Sequence, residues 1–154
     1  MTAVADWFKS TSNRTFILFP LLIIAFELAL KGGALHVVPW GAPLLVWGYL
    51  QYRLVGRYRM RLGGGGPGLA VPPQRIVDAG PYRYLRNPMY LGHLIFMAGL
   101  AITFRSLAAV ALLAFHMAWF HRRVLEDEKH LEAIFGAEYL GYKARVKRWI
   151  PGLL

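Results

Sequence analysis

The sequence predicts an all-α, polytopic membrane protein. It should have about four transmembrane helices and further C-terminal helices on the cytoplasmic or interfacial side. Three observations predict it. Of 154 residues, 56% are hydrophobic and 17% charged, against about 45–50% and about 25% in an ordinary soluble domain. The apolar residues are gathered into long runs, as a bilayer requires. The charge is gathered too: 18 Lys and Arg against 8 Asp and Glu, a net +10, flank those runs. A basic balance of this kind suits membrane orientation and anionic headgroups. No nucleic-acid motif accompanies it, so nucleic acid is not an expected partner. The chain has no cysteine, which excludes disulfides, thiol catalysis and Cys-based metal sites. Its length predicts one domain, 1–154. Within it, 1–73 reads as a helical hairpin and a Gly/Pro loop, and 74–154 as a motif-bearing region.

The elements follow in order. Residues 1–14 are polar, with Trp7 and Phe8 as interfacial anchors. The first apolar run is Thr15 to Leu30, short for a span, with Pro20 placed to kink it. Glu27, Lys31 and Gly32-Gly33 follow in place of a small-residue cleavage site, so the run reads as a retained helix. A turn from Lys31 to His36 makes the second run, about Val37 to Val55, its antiparallel neighbour. Arg53 to Pro73 reads as a flexible loop, because Gly63-Gly64-Gly65-Gly66-Pro67-Gly68 and Pro72-Pro73 do not sustain a helix. These glycines fit neither phosphate-binding spacing. Pro88 opens the third run, Met89 to Thr103. Phe104-Arg105-Ser106 is a tight turn. The fourth run, Leu107 to Phe120, continues as a helix to Gly136. A last amphipathic helix, about Ala137 to Trp149, is stopped by Pro151 and lies at the interface. Arg53, Arg57, Arg59, Arg61, Arg75, Arg83 and Arg86 lie between runs two and three. Another basic group, from Arg122 to Arg148, follows run four, and the short turns hold only Lys31 and Arg105. Both basic regions are therefore expected on the cytoplasmic face.

Two segments are too polar for mere connectors. One runs from Gln74 to Gly92 and contains Gly80-Pro81-Tyr82, then Arg86-Asn87-Pro88-Met89-Tyr90. The other holds Arg122-Arg123 and Glu126-Asp127-Glu128, then Leu131, Phe135-Gly136, Tyr139 and Tyr142. The Phe104-Arg105-Ser106 turn should bring them together.

These residues resemble the isoprenylcysteine carboxyl methyltransferase and phospholipid methyltransferase superfamily. Its pattern is GPY-x-x-x-R-H-P-x-Y-x-G, then E-E-x-x-L-x-x-x-F-G-x-x-Y-x-x-Y, then V-x-R-x-x-P. The resemblance covers about Gln74 to Pro151. Asn87 stands where the pattern has His and Asp127 where it has the first Glu, so no titrating imidazole is present at 87. The resemblance implies S-adenosylmethionine as cofactor and a lipophilic methyl acceptor, and the charge distribution puts such an active site on the cytoplasmic face. It implies that Gln74, Arg75, Ile76 and Val77 line the cofactor, with Tyr82, Arg86, Asn87, Pro88, Met89, Tyr90, Asp127 and Glu128 around it. It implies that Arg123 binds substrate. The chemistry agrees. Tyrosine rings suit a sulfonium by cation–π attraction, a carboxylate such as Asp127 suits the cofactor's ammonium or ribose, and Arg123 precedes Asp127 by one helical turn. A lipid carboxylate is ionised at neutral pH, so no acid or base is required.

The expected reaction is carboxyl O-methylation of a lipophilic acid, isoprenylcysteine-like or a fatty acid. The alternatives are N-methylation of a phospholipid amine and a non-catalytic membrane module. Arg83 and Arg122 read as headgroup contacts, and Tyr84, Tyr139, Tyr142 and Trp149 as interfacial anchors. Glu27 reads as the partner of a cation on another helix. His93 and His116 line a substrate tunnel or bond a helix backbone, and are too scattered to form a metal site.

Overall fold

A computed structural model of the chain describes residues 7–66 and 71–149. The fold is all-helical, and the described residues contain no strand, only an isolated bridge between Leu85 and Lys147. Among the described residues, five longer helices carry it. They are α1 (Thr11–Leu30), α2 (Ala42–Gly63), α3 (Pro88–Phe104), α4 (Leu107–Phe135) and α5 (Ala137–Arg145). Among the described residues, α1 is the one helical stretch both long and apolar enough to cross a bilayer; α3 is a shorter apolar helix. The chain forms two compact units, one of Met1–Tyr49 with Gly92–Met117, the other of Leu50–Leu91 with Ala118–Leu154.

In the first unit, α1 begins earlier than its apolar run, because Ser10 caps it through the Asn13 amide. Pro20 has no N–H to give. The turn just before it, Arg14–Leu18, is widened, with the Phe19 amide reaching back to the Arg14 carbonyl. Ile23, Leu100, Phe104 and Ala109 form the core, with Leu45 and Phe96 packed on it. The backbones of α2 and α3 touch. A Cβ on Gly48 would sit 2.5 Å from the Phe96 nitrogen, and one on Gly99 would sit 2.8 Å from the Leu45 nitrogen. Ser106 accepts the Ala109 amide at 3.1 Å and caps α4. Glu27 takes its cation from its own helix, not from another: Lys31 lies 2.7 Å away, one turn on. His116 bonds the Leu112 carbonyl of α4 through Nδ1 at 2.9 Å, and His93 stacks on Phe16. The unit's exposed side chains are strongly apolar, among them Leu21, Phe26, Trp40, Trp47 and Phe115.

The second unit corrects the loop expected over Arg53 to Pro73. Arg53, Arg57, Arg59 and Arg61 are all helical, and α2 ends only at Gly63, the first of the four glycines. The reason is the cap. Gly64 and Gly65 adopt positive φ, +70° and +75°, which turns the chain back at the helix end. The Gly63 carbonyl then accepts the Gln74 amide at 2.7 Å, and the Gly66 amide bonds the Val71 carbonyl. Pro67 and Gly68 lie outside the described residues. Further along, α4 ends where Gly136 takes φ +52°. Helix α5 stops at Arg145, short of the expected Trp149, because Val146 turns extended and the next residues run beside Leu85. The Arg86 amide bonds the Lys147 carbonyl there at 2.8 Å. Pro151, expected to end this helix, lies outside the described residues.

Candidate functional site

Five segments of the second unit line a cavity with an open mouth. The extended stretch after the glycine turn supplies Pro73, Arg75, Ile76 and Val77. The Gly80–Arg83 turn and the residues before α3 supply Tyr82, Arg86 and Asn87. From α4 come Asp127, Glu128, Leu131 and Phe135, from α5 Tyr139 and Tyr142, and from α2 Arg59.

Eight of the residues expected at a cofactor therefore line one cavity: Arg75, Ile76, Val77, Tyr82, Arg86, Asn87, Asp127 and Glu128. Four others lie outside its wall. Gln74 covers Gly64, and Met89 lies against Gly56. The Pro88 carbonyl accepts Gln51 Nε2 at 2.8 Å. Tyr90 donates its hydroxyl to Asp127 Oδ2 at 2.7 Å, with its ring against Phe120. Arg123 is outside the wall too. Its Nε lies 3.4 Å from Asp127 Oδ1, and half of its side chain is exposed. Burial works against the Arg123 cation, but the Asp127 charge together with Tyr90 and Glu126 outweighs it and holds its pKa above the ordinary arginine value.

Glu128 and Arg86 are occupied by the protein itself. Glu128 is 3% exposed. It accepts Arg86 Nε at 3.0 Å and Arg148 Nη2 at 3.0 Å. Arg86 Nη1 also donates to the carbonyls of Lys143 and Val146, at 2.9 and 2.6 Å. One guanidinium thus ties α4 to the end of α5, as only a planar fork can. Burial raises the Glu128 pKa, but the Arg148 hydrogen bond and the Arg86 charge prevail and hold it below the ordinary glutamate value. Asn87 Nδ2 donates to the Arg148 carbonyl at 3.2 Å, a bond the amide makes without titrating.

Tyr139, Tyr142 and Trp149 are not interfacial anchors. Tyr139 and Tyr142 are buried with Val146 and packed by Ile76, Leu131 and Phe135, which gives the cavity an apolar, aromatic wall. Tyr142 donates to the Tyr82 carbonyl at 2.8 Å. Burial holds the phenols of Tyr82, Tyr139 and Tyr142 above the usual tyrosine range, so all three are neutral donors. Trp149 Nε1 donates to His121 Nδ1 at 3.3 Å. Tyr84 is exposed. The sequence reading missed Arg59, Pro73, Leu131, Phe135, Tyr139 and Tyr142 as wall residues. The spacings Leu131–Phe135 on α4 and Tyr139–Tyr142 on α5 were signals for four of them, since steps of three and four share a helix face. No local pattern marked Arg59.

Residues 65–138 match the family model for phospholipid methyltransferase. Two Arabidopsis thaliana proteins, protein-S-isoprenylcysteine O-methyltransferases B and A, are similar to this chain. They are 30% and 32% identical over 78 and 77 residues, covering 50% and 49% of this chain but 40% and 39% of the relatives. The cobalt-zinc-cadmium resistance protein CzcN of Cupriavidus metallidurans is 32% identical over 78 residues, 51% of this chain and 36% of that protein. The match thus spans about two fifths of the relatives' length. No solved structure matches the chain.

Proposed function

We propose, from the premise that this chain belongs to the isoprenylcysteine carboxyl methyltransferase and phospholipid methyltransferase superfamily, that it is an integral membrane S-adenosylmethionine-dependent methyltransferase. Its acceptor is a lipophilic acid, methylated on the carboxylate. The observation that carries the reading is the single cavity walled by both motif segments.

The cavity's chemistry fits the cofactor. Ile76, Val77, Leu131, Phe135 and the two tyrosines offer an apolar and aromatic slot for a flat base. Asp127, 17% exposed on the wall, offers a carboxylate to an ammonium or a ribose. The Nε of Arg59 is a buried donor with no partner among the described residues. When bound, S-adenosylmethionine supplies an electrophilic methyl group.

The protein's own part is to bind and orient. Arg123, half exposed one turn from Asp127, receives the acceptor's carboxylate and aims one oxygen. That carboxylate is already ionised, so no residue must take a proton. Tyr90 fixes Asp127 from the other side. The apolar wall of the cavity disfavours water, and positioning of this kind supplies about 7–11 kcal/mol of a barrier. Phospholipid amine N-methylation is the second reading, favoured by the family model's own description. The exposed Arg123 cation favours an anionic acceptor over it.

Purified protein, labelled S-adenosylmethionine and a panel of fatty acids, prenylcysteines and phosphatidylethanolamine, followed by mass spectrometry, is the test. Carboxyl methyl esters are expected; N-methylated lipid favours the second reading, and no transfer to any acceptor sinks both. Arg123→Leu should lower turnover on the acid by tens- to thousands-fold, the equivalent of about 2–5 kcal/mol, while cofactor affinity stays within a few-fold. Arg123→Lys should rescue in part, since an ammonium cannot hold both oxygens.

A further inference from the structure

We propose that Arg59, on α2 and outside residues 65–138 of the family match, holds the carboxylate at the amino-acid end of the cofactor. The inference rests on reading the cavity as an S-adenosylmethionine site. The charged residues on the cavity wall are Arg59, Arg75, Arg86, Asp127 and Glu128.

Four of these are excluded as the carboxylate's partner. Arg86 is committed to Glu128 and to two backbone carbonyls. Glu128 has both arginines against it. Asp127 has Tyr90 and Arg123, and like Glu128 it has the wrong sign. Arg75 is exposed, so water competes for its guanidinium. Arg59 differs from all of them. It is part-buried and donates Nη2 to the Gly66 carbonyl at 2.6 Å, while its Nε is buried with no partner among the described residues. A buried guanidinium N–H left unpaired is unfavourable, and because Arg59 lines the cavity, an anion bound there meets its charge. S-adenosylmethionine carries one anion, the carboxylate of its methionine end. A planar guanidinium matches that group better than any other side chain.

The Gly66 contact makes this donor precise in place. It holds the guanidinium against the capped end of α2, where the Gly66 amide in turn bonds the Val71 carbonyl. The same contact defines the competing view, in which Arg59 only pins the glycine turn.

Calorimetry on the detergent-solubilised protein separates the two. The probes are S-adenosylmethionine and its decarboxylated analogue, which keeps the sulfonium and the amine but lacks the carboxylate. The wild type should prefer the carboxylate-bearing ligand by about thirty-fold or more. Arg59→Gln should abolish that preference by weakening S-adenosylmethionine alone, leaving the analogue within about two-fold. Arg59→Lys should keep part of the preference, and it serves as the measured variant if the Gln protein does not fold. Equal losses for both ligands, or no loss for either, overturn the proposal in favour of a pin. A wild type that binds neither ligand overturns the cofactor reading itself, which is a different failure from a wild type whose preference survives the substitution.

Discussion

Glu128 shows what a single carboxylate can do once two arginines close on it. Both guanidinium groups donate to it at 2.9–3.2 Å, and Arg86 is itself only 7% exposed at its side chain. Removing one partner of a buried pair leaves an uncompensated charge, which costs about 3–5 kcal/mol. Glu128→Ala should therefore lower the unfolding midpoint of the solubilised protein sharply, whereas exposed Arg123 loses little when unpaired from Asp127, about 0–1 kcal/mol. The pH dependence follows from the same contacts. The folded Glu128 carboxyl titrates below its ordinary value of 4.5, because its two arginines outweigh its burial. Its stabilisation is thus fully present above pH 4.5 and is lost as pH falls through the depressed folded value. Thermal melts across that window should show the wild type losing stability with acid, and Glu128→Gln losing less. Parallel declines would remove Glu128 as the cause.

At the scale of elements, two glycine pairs decide how closely helices pack in the first unit. Gly41 and Gly48 on one side meet Gly99 and Gly92 on the other, each pair separated by two helical turns. Cβ atoms at Gly41, Gly48 and Gly99 would strike backbone atoms within 2.5–3.1 Å, which no rotamer change relieves. Gly48→Ala should cost about 1–3 kcal/mol by overpacking. Gly141 is the contrast. It lies inside α5 with nothing within 4 Å of an added Cβ and no positive φ. Gly141→Ala should stabilise by about 0.5–1 kcal/mol, since alanine loses less backbone entropy in a helix. Unfolding midpoints of the two variants, measured side by side, check both signs. The Gly136 turn between α4 and α5 does not allow the same exchange, because φ +52° strains any larger residue.

At the scale of the whole molecule, the question is how often the chain crosses the bilayer. One helix passes by length and composition, yet α2 and α4 are interrupted by arginines only towards their later turns. Four crossings would place Lys9 and Val71 on the cytoplasmic face and Leu107, 85% exposed beside the α3–α4 turn, on the other. Single cysteines at these positions in a chain that has none should label from opposite sides: Lys9→Cys and Val71→Cys together, Leu107→Cys alone. Labelling of all three from one side would overturn the four-span topology.

Sequence alone determined the helical character of the chain and most of the motif residues that share one cavity wall. The run from Leu107 to Gly136 becomes one helix, Pro88 opens another, and eight motif residues reach one cavity. These features were legible because periodicity, capping and motif spacing act along a few neighbouring residues. Tertiary structure alone decided which of those residues remain available. Arg86 finds Glu128 across 42 residues, and Tyr142 finds Tyr82 across 60. Tyr139 and Tyr142 look amphipathic in sequence, but neighbours from 76, 131 and 135 bury them. Arg59 reads as one more membrane-flanking arginine until the glycine turn folds the 73–77 stretch back beside it. The physical reason is common to all three. Burial and pairing depend on which distant segments meet, and a side chain's chemistry is set by the partners found there, which no local pattern encodes.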